Sequence, residues 1–504
     1  MAKNLIGEIL VGTTSVKLVV SNINTFKVIE KVHKDMRVGA EIYDSNTVPM
    51  ELSESLITAL QGFRQILADY GIVTRHIWAS EMFMQADNAA YIADQILHAT
   101  GFTIESLNSS QEVFYRNQAL RMFYPQFATL AAASLQIIGI SSGRLDIGYY
   151  AKQAFKYSRS IALGPVRLAE TLEEIQGQIV DYPQFLSDFI GSKIADFNRV
   201  LPITDPAKHL ILVGSEVLNT LFIKAGQTTA TISLAQFEEL KQQIFNNQTN
   251  QVLGEKYGLS EQVIKYALPE ILVLERALNL AQVPKIILLD ISVVDGLVFA
   301  DAGKNSIGDT EIITAAQDIA DQYRVANNHR QQVEHFALHL FDQLKAVHHL
   351  TQRDYLLLDV VCLVHDIGSF VNSHAHYLHS ENLIKNIDFY GLSDNETAII
   401  AAVARYHSSQ IPVNEHYILK NFNAPERLLI AKLTALLRLA DALDDSRQQK
   451  IKKIAVSIKK DKVIITAHTN HNILLENWVF KQKAQFFQDV FGMLPILKKR
   501  VNRK

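Results

Sequence analysis

Cysteine is nearly absent from this 504-residue chain. Cys362 stands alone inside the apolar run Leu356 to Val364, so no internal disulfide can form and a reducing compartment suits the chain. An excess of one charge is missing too. The 49 Lys and Arg stand against 52 Asp and Glu, a formal net charge of -3, which argues against wholesale nucleic-acid binding and leaves room only for a local anion-binding patch. No apolar run approaches the ~18 residues that span a bilayer. The opening stretch, Met1 to Glu8, has one lysine but no long apolar segment ending in a cleavage site. The expectation is a cytoplasmic protein with no membrane and no nucleic-acid partner. With only 11 prolines and no low-complexity segment, no long linker is expected either.

What is present is an ordinary globular composition, 48% hydrophobic and 20% charged, in a chain too long for one core. A prior of roughly 150 residues per domain suggests three or four units. Residues 5 to 21 read as strand, tight turn (Gly12-Thr13-Thr14-Ser15) and strand. Helical stretches from Glu51 to Tyr70 and from Asp87 to Thr100 give mixed α/β order. Leu135 to Ile140, the turn Ser141-Ser142-Gly143 and Asp146 to Lys152 repeat the first layout, which suggests two similar α/β domains in tandem. The strand Leu210 to Val213 ends in Gly214-Ser215, and Lys285 to Asp290 runs toward Asp295-Gly296, so four turn tips could face one cleft. From about Ala315 to Lys450 long amphipathic helices take over. Ile454 to Ser457 and Val463 to Ala467 then read as a hairpin, followed by a helix over Trp478 to Phe491 with Phe486 and Phe487 in its core face. Lys498, Lys499, Arg500, Arg503 and Lys504 read as a solvated basic tail. The expected domains are residues 1–125, 126–305, 306–450 and 451–504.

The helical region carries Val364-His365-Asp366-Ile367-Gly368 at the end of an apolar stretch. A lone His-Asp pair is expected by chance about once in such a chain, so its surroundings carry the weight. His329 lies upstream, followed by Val333, Ala337, Leu340 and Leu344 at helical spacing, and His379, His407 and Asp441 come at intervals that suit successive helices. His374 and His376 are alternatives to His379. Neutral imidazoles with carboxylates suit a divalent ion, Mg2+ or Mn2+, whose open coordination positions would acidify a bound water.

Two glycine-tipped α/β domains followed by a helical domain with a His-Asp pair resemble the exopolyphosphatase/guanosine pentaphosphate phosphohydrolase (Ppx/GppA) family almost end to end. The family's first turn, Asp-x-Gly-Ser-Asn-Ser, corresponds to Leu10-Val11-Gly12-Thr13-Thr14-Ser15, with leucine in place of aspartate. Its Ser-Gly-x-Glu-Glu-Ala segment corresponds to Asn108-Ser109-Ser110-Gln111-Glu112-Val113, which puts Glu112 at the general base. Its second loop, Asp-x-Gly-Gly-Gly-Ser-Thr-Glu, corresponds to Gly139 through Asp146, with glycine at the aspartate. Ala79 to Met84 ends in methionine where the family presents an arginine, while Leu163-Gly164-Pro165-Val166-Arg167-Leu168 follows the family pattern. The helical part, through His329, Leu363 to Gly368, Ala404-Arg405-Tyr406-His407 and Leu437 to Asp444, resembles a metal-competent HD domain.

The resemblance implies tandem α/β domains of the ribonuclease H-like type shared by actin, sugar kinases and heat-shock chaperones, then an all-α HD domain and a small α+β tail. It further implies a homodimer that releases terminal phosphate from inorganic polyphosphate or guanosine pentaphosphate. In that account Glu112 orients water, and Gly12, Thr13, Thr14, Ser15, Ser141, Ser142, Gly143, Gly214 and Ser215 cradle phosphate. His329, His365, Asp366, His379, His407 and Asp441 would hold divalent metal. Two rivals stand beside it: a metal-dependent phosphohydrolase acting through the HD domain, and a non-catalytic polyphosphate or alarmone sensor, kept open by Leu10, Gly139 and Met84.

Overall fold

Two apolar runs broken only by Gly12-Thr13-Thr14 pair as an antiparallel hairpin, β1 (Leu5–Val11) and β2 (Ser15–Asn22), whose turn closes with Gly12 N–H donating to the Ser15 carbonyl at 2.9 Å. The structure is a computed structural model and describes residues 4–25, 27–36, 38–74, 76–200, 207–246, 254, 257–281, 283–301, 306–408 and 419–501. These divide into two compact units, Met1–Gly308 and Asp309–Lys504.

In the first unit, β3 (Val28–Asp35), β4 (His76–Ser80) and β5 (Thr103–Leu107) join the hairpin in the order β3-β2-β1-β4-β5. The first three strands form an antiparallel meander, and β4 and β5 run parallel to β1. A second sheet repeats the plan. Its meander is β6 (Leu135–Ile140), β7 (Leu145–Ala151) and β8 (Ala154–Ile161), extended by β9 (His209–Val213), β10 (Thr229–Ser233) and β11 (Lys285–Leu289) in the order β10-β11-β9-β6-β7-β8. All six residues of β6 are buried, as an almost uniformly apolar strand covered on both faces requires. This duplicated arrangement is the ribonuclease H-like fold of actin, sugar kinases and heat-shock chaperones.

The second unit is helical because its segments carry their own start signals. Thr351 with Asp354, Ser393 with Glu396, and Asn423 with Glu426 form reciprocal capping boxes that open the helices Gln352–Val364, Asp394–Tyr406 and Ala424–Ala442. Leu356 to Val364 is buried throughout, which makes Gln352–Val364 the central helix. The chain ends in a three-stranded sheet of β12 (Lys453–Lys459), β13 (Lys462–His468) and β14 (Leu494–Arg500), with the helix Leu474–Phe491 between the last two strands. The supposed basic tail is therefore mostly strand: Lys498, Lys499 and Arg500 lie on β14, parallel to β13, while Arg503 and Lys504 lie outside the described residues. Alternation of apolar and basic residues is too short there for sequence to separate strand from tail. Among the described residues no helix is long and apolar enough to cross a membrane.

Candidate functional site

The hairpin turns after β1 and β6 and the strand-to-helix turns after β9 and β11 meet around one cleft of about 390 Å³ in the first unit. Gly12, Thr13, Thr14 and Ser15 line it from one sheet, and Ser141, Ser142, Gly143 and Gly214 from the other. The Thr13 and Ser142 hydroxyls hydrogen-bond across it. Gly214 has φ +82°, and a Cβ there would sit 2.1 Å from the Ile140 carbonyl oxygen, so only glycine serves. Ser215 does not belong with these residues. It is fully buried, donates to Glu270 Oε1 at 2.5 Å and accepts from Leu218 N–H at 3.1 Å, which makes it the N-cap of the helix Glu216–Phe222.

Glu112 lies in the first turn of the helix Ser109–Phe123, which starts at a capping box between Asn108 and Gln111, and it lines the cleft with Arg116 one turn later. Burial pushes the Glu112 carboxyl up to about 7; Asp146 and Glu81 add to the rise, and Arg116 and Arg144 oppose it. A carboxyl tuned near neutrality suits proton transfer. Lys17, Arg144 and Arg167 also line the cleft.

Glu270, on the opposite wall, is only 4% exposed. Burial raises it to about 8 from 4.5, against the hydrogen bonds from Ser215 and Val217 that favour its ionised form. A carboxyl raised in the folded state weakens folding as pH climbs from its unfolded value to its folded one. Glu270→Gln keeps the acceptor oxygen and removes the titration. It should melt like the parent at pH 4.5 and be more stable at pH 9 by on the order of a few kcal/mol, measured by denaturant unfolding at both pH values.

In the second unit, four imidazoles converge on Asp366. Nδ1 of His329 lies 2.9 Å from Asp444 Oδ2, Nδ1 of His365 lies 2.9 Å from the Cys362 carbonyl, and Nδ1 of His407 lies 2.5 Å from the Ala404 carbonyl. Acceptors at Nδ1 fix the proton there and turn each Nε2 lone pair inward. His365 Nε2 is buried without a hydrogen-bond partner, and His329 Nε2 faces Asp441 Oδ1 at 3.3 Å. His376 Nε2 faces His407 Nε2 at 3.1 Å, and these two atoms stand 3.1 and 3.5 Å from Asp366 Oδ1. A proton on His376, which its hydrogen bond to Asp366 favours, satisfies this contact, and a divalent cation could take that proton's place. Two groups thus share Asp366: His329, His365 and Asp366, and Asp366, His376 and His407. Burial holds His365 down to about 4, so it is neutral and ready to ligate. Burial also opposes protonation of His329, but Asp441 and Asp444 carry it up to about 9, and a divalent ion would displace that proton. The donor set fits a divalent cation.

His376, not His379, completes this centre. Ala375 takes a left-handed φ of 53° and starts the helix His376–Lys385 so that His376 points to Asp366, while His379 stands outside both groups. Asp441 sits beside them, 3.3 Å from His329 Nε2, with its other oxygen held by Lys483 Nζ at 2.5 Å. Arg447 holds Asp366 Oδ2 at 2.6 Å. Gly368 sets the spacing: a Cβ there would lie 2.1 Å from the His376 carbonyl oxygen and 2.3 Å from Ser380 N. Gly368→Ala should destabilise the helical unit by about 1–3 kcal/mol and weaken its metal binding, read by thermal denaturation and Mn2+ titration.

Residues 313–484 match the family described as Ppx/GppA phosphatase, domain III. The helical unit is therefore similar to one domain of the Ppx/GppA phosphatases. A curated relative, guanosine-5'-triphosphate,3'-diphosphate pyrophosphatase of Pseudoalteromonas translucida, is 27% identical over 143 residues, which is 28% of this chain. The match spans 28% of that relative's length. An exopolyphosphatase from Cytophaga hutchinsonii superposes with a TM-score of 0.53 at 16% identity, covering 60% of this chain and 99% of its own. An exopolyphosphatase-like protein gives 0.51 at 14% identity, covering 59% and 97%. At such identities the likeness to these two structures shows the fold.

Proposed function

We propose that this chain hydrolyses phosphoanhydride bonds in the amino-terminal cleft, releasing terminal phosphate from inorganic polyphosphate or guanosine pentaphosphate. The observation that carries this reading is Glu112, held near neutrality among the phosphate-sized turns. The Gly12 to Ser15 and Ser141 to Gly143 turns offer backbone N–H groups and hydroxyls to the chain's oxygens. Glu112 takes a proton from water as the water oxygen bonds to the terminal phosphorus. The bridging P–O bond breaks, its electrons stay on the shortened chain, and Lys17, Arg144 and Arg167 together with the turn N–H groups absorb that charge. The test is orthophosphate release from long-chain polyphosphate by the parent, Glu112→Gln and Asp366→Ala proteins, with divalent metal stripped and restored. Loss in the Glu112 variant alone supports the reading, and loss in the Asp366 variant alone rejects it.

A second reading has its own support in the His329, His365 and Asp366 group and the Asp366, His376 and His407 group, whose potential ligand atoms lie close enough to share an ion. It makes the helical unit a metal-dependent phosphohydrolase. His329, His365, Asp366, His376 and His407 would hold the ion, which would supply charge neutralisation and an acidified water. No phosphate release under any metal would reject both readings in favour of a binding protein.

A further inference from the structure

Arg116 occupies an unusual place on the floor of the amino-terminal cleft. Its guanidinium is almost wholly buried, with Nη2 donating to Asp146 Oδ2 at 2.9 Å, and Asp146 Oδ1 is in turn held by the Ser160 hydroxyl at 2.7 Å. Nε of Arg116 has no hydrogen-bond partner. Gly139 lies directly across from Asp146 in the β6–β7 register, and a Cβ on it would fall 2.1 Å from Nη2 and 2.4 Å from Cζ of Arg116. The guanidinium therefore occupies the space a side chain on Gly139 would fill, two residues before the Ser141 turn. On the other sheet the corresponding strand end carries Leu10, 7% exposed and packed with Leu107, Val294 and Leu297. Among the described residues, both groups of three or more side chains close enough to share a metal ion lie in the helical unit. At the two strand ends stand Leu10 and Gly139, neither able to ligate an ion through its side chain, while Glu81, Glu112, Glu216, Glu270 and Asp290 line the cleft without forming such a group.

We propose that the amino-terminal cleft binds an oligophosphate chain without a divalent ion, the resident guanidinium of Arg116 supplying the positive charge beneath the phosphate turns. A planar fork with several donors matches phosphate oxygens, and its pairing with Asp146 fixes its orientation rather than saturating it. Lys17, Arg144 and Arg167 are further cations along the cleft, interspersed with Glu81, Glu112, Glu216, Glu270 and Asp290. Gly139 then serves a purpose of its own: the missing side chain is the space in which the guanidinium lies. The inference rests on the phosphate-cleft reading above but concerns binding, so it can fail or stand apart from turnover.

The test is calorimetric titration of tripolyphosphate into the full chain in EDTA and in excess Mg2+. Parent protein should bind in EDTA at least as tightly as in Mg2+, which competes for the ligand by complexing it. Arg116→Met/Asp146→Asn, which leaves no orphaned buried acid, should bind at least tenfold more weakly under both conditions. Gly139→Ala, which displaces the guanidinium without altering any charge, should weaken binding in the same direction and serves if the double variant does not fold. Binding that vanishes in EDTA overturns the proposal, as does binding that is insensitive to both variants. Tight metal-free binding with no phosphate release would reject hydrolysis in the cleft and leave this inference standing.

Discussion

Glu112→Gln is expected to lower phosphate release by roughly 10²- to 10⁴-fold, the usual contribution of a positioned base, while leaving tripolyphosphate binding in place. The substitution keeps size and removes the proton acceptor. Parent kcat/KM should fall about tenfold per pH unit below the Glu112 value near 7 and level off above it, because only the carboxylate can take the water proton. The groups facing Glu112 set that midpoint. Burial, Asp146 and Glu81 raise it, and Arg116 and Arg144 lower it, so Arg144→Met should move the limb to higher pH. Residual Glu112→Gln activity should show no such limb. A parent profile that is flat from pH 5 to 8, or a Gln variant as active as the parent, would remove Glu112 from the reaction.

The sequence shows the two hairpins with glycine at their tips, the strands at 210–213 and 285–290 and the change to helices, because each is a local signal, while the edge strands Val28–Asp35, Ala154–Ile161, Thr229–Ser233 and Leu494–Arg500 are mixed in polarity and escape it. It shows the helical centre in part. His329, His365, Asp366 and His407 are legible from the His-Asp pair and helical spacing, but the choice among His374, His376 and His379 depends on where the loop 371–375 ends. That point is fixed by Ala375 in a left-handed conformation, which leaves no compositional trace in a residue that ordinarily avoids it. Ser215 was readable as a helix cap rather than a phosphate ligand, since it directly precedes the helix Glu216–Phe222. Gly139 is the opposite case. As a sequence it looks like a lost aspartate, yet in the fold it accommodates Arg116, 23 positions away, and no local pattern connects the two.

Asp366→Ala should abolish metal binding by the helical unit, because Asp366 is the one residue common to both three-ligand groups. Equilibrium dialysis with Mn2+ should show bound metal in the parent and none in the variant. At 100 times the dissociation constant, Mn2+ should stabilise the parent against unfolding by about 2.7 kcal/mol and leave Asp366→Ala unchanged. The metal-free proteins should differ as well. Burial works against the Asp366 carboxylate, but His365, His376 and His407 outweigh it and hold the group well below its ordinary 3.8. That contribution is present above about pH 4 and disappears as pH falls through the depressed value, so the parent should lose its margin over the variant only in strong acid. Phosphate release separates the two units. If it survives Asp366→Ala at the parent rate, the reaction belongs to the cleft and the helical ion is structural or regulatory. If release and Mn2+ binding disappear together while Glu112→Gln stays active, the lone pairs gathered around Asp366 are the reaction centre and the cleft only holds phosphate.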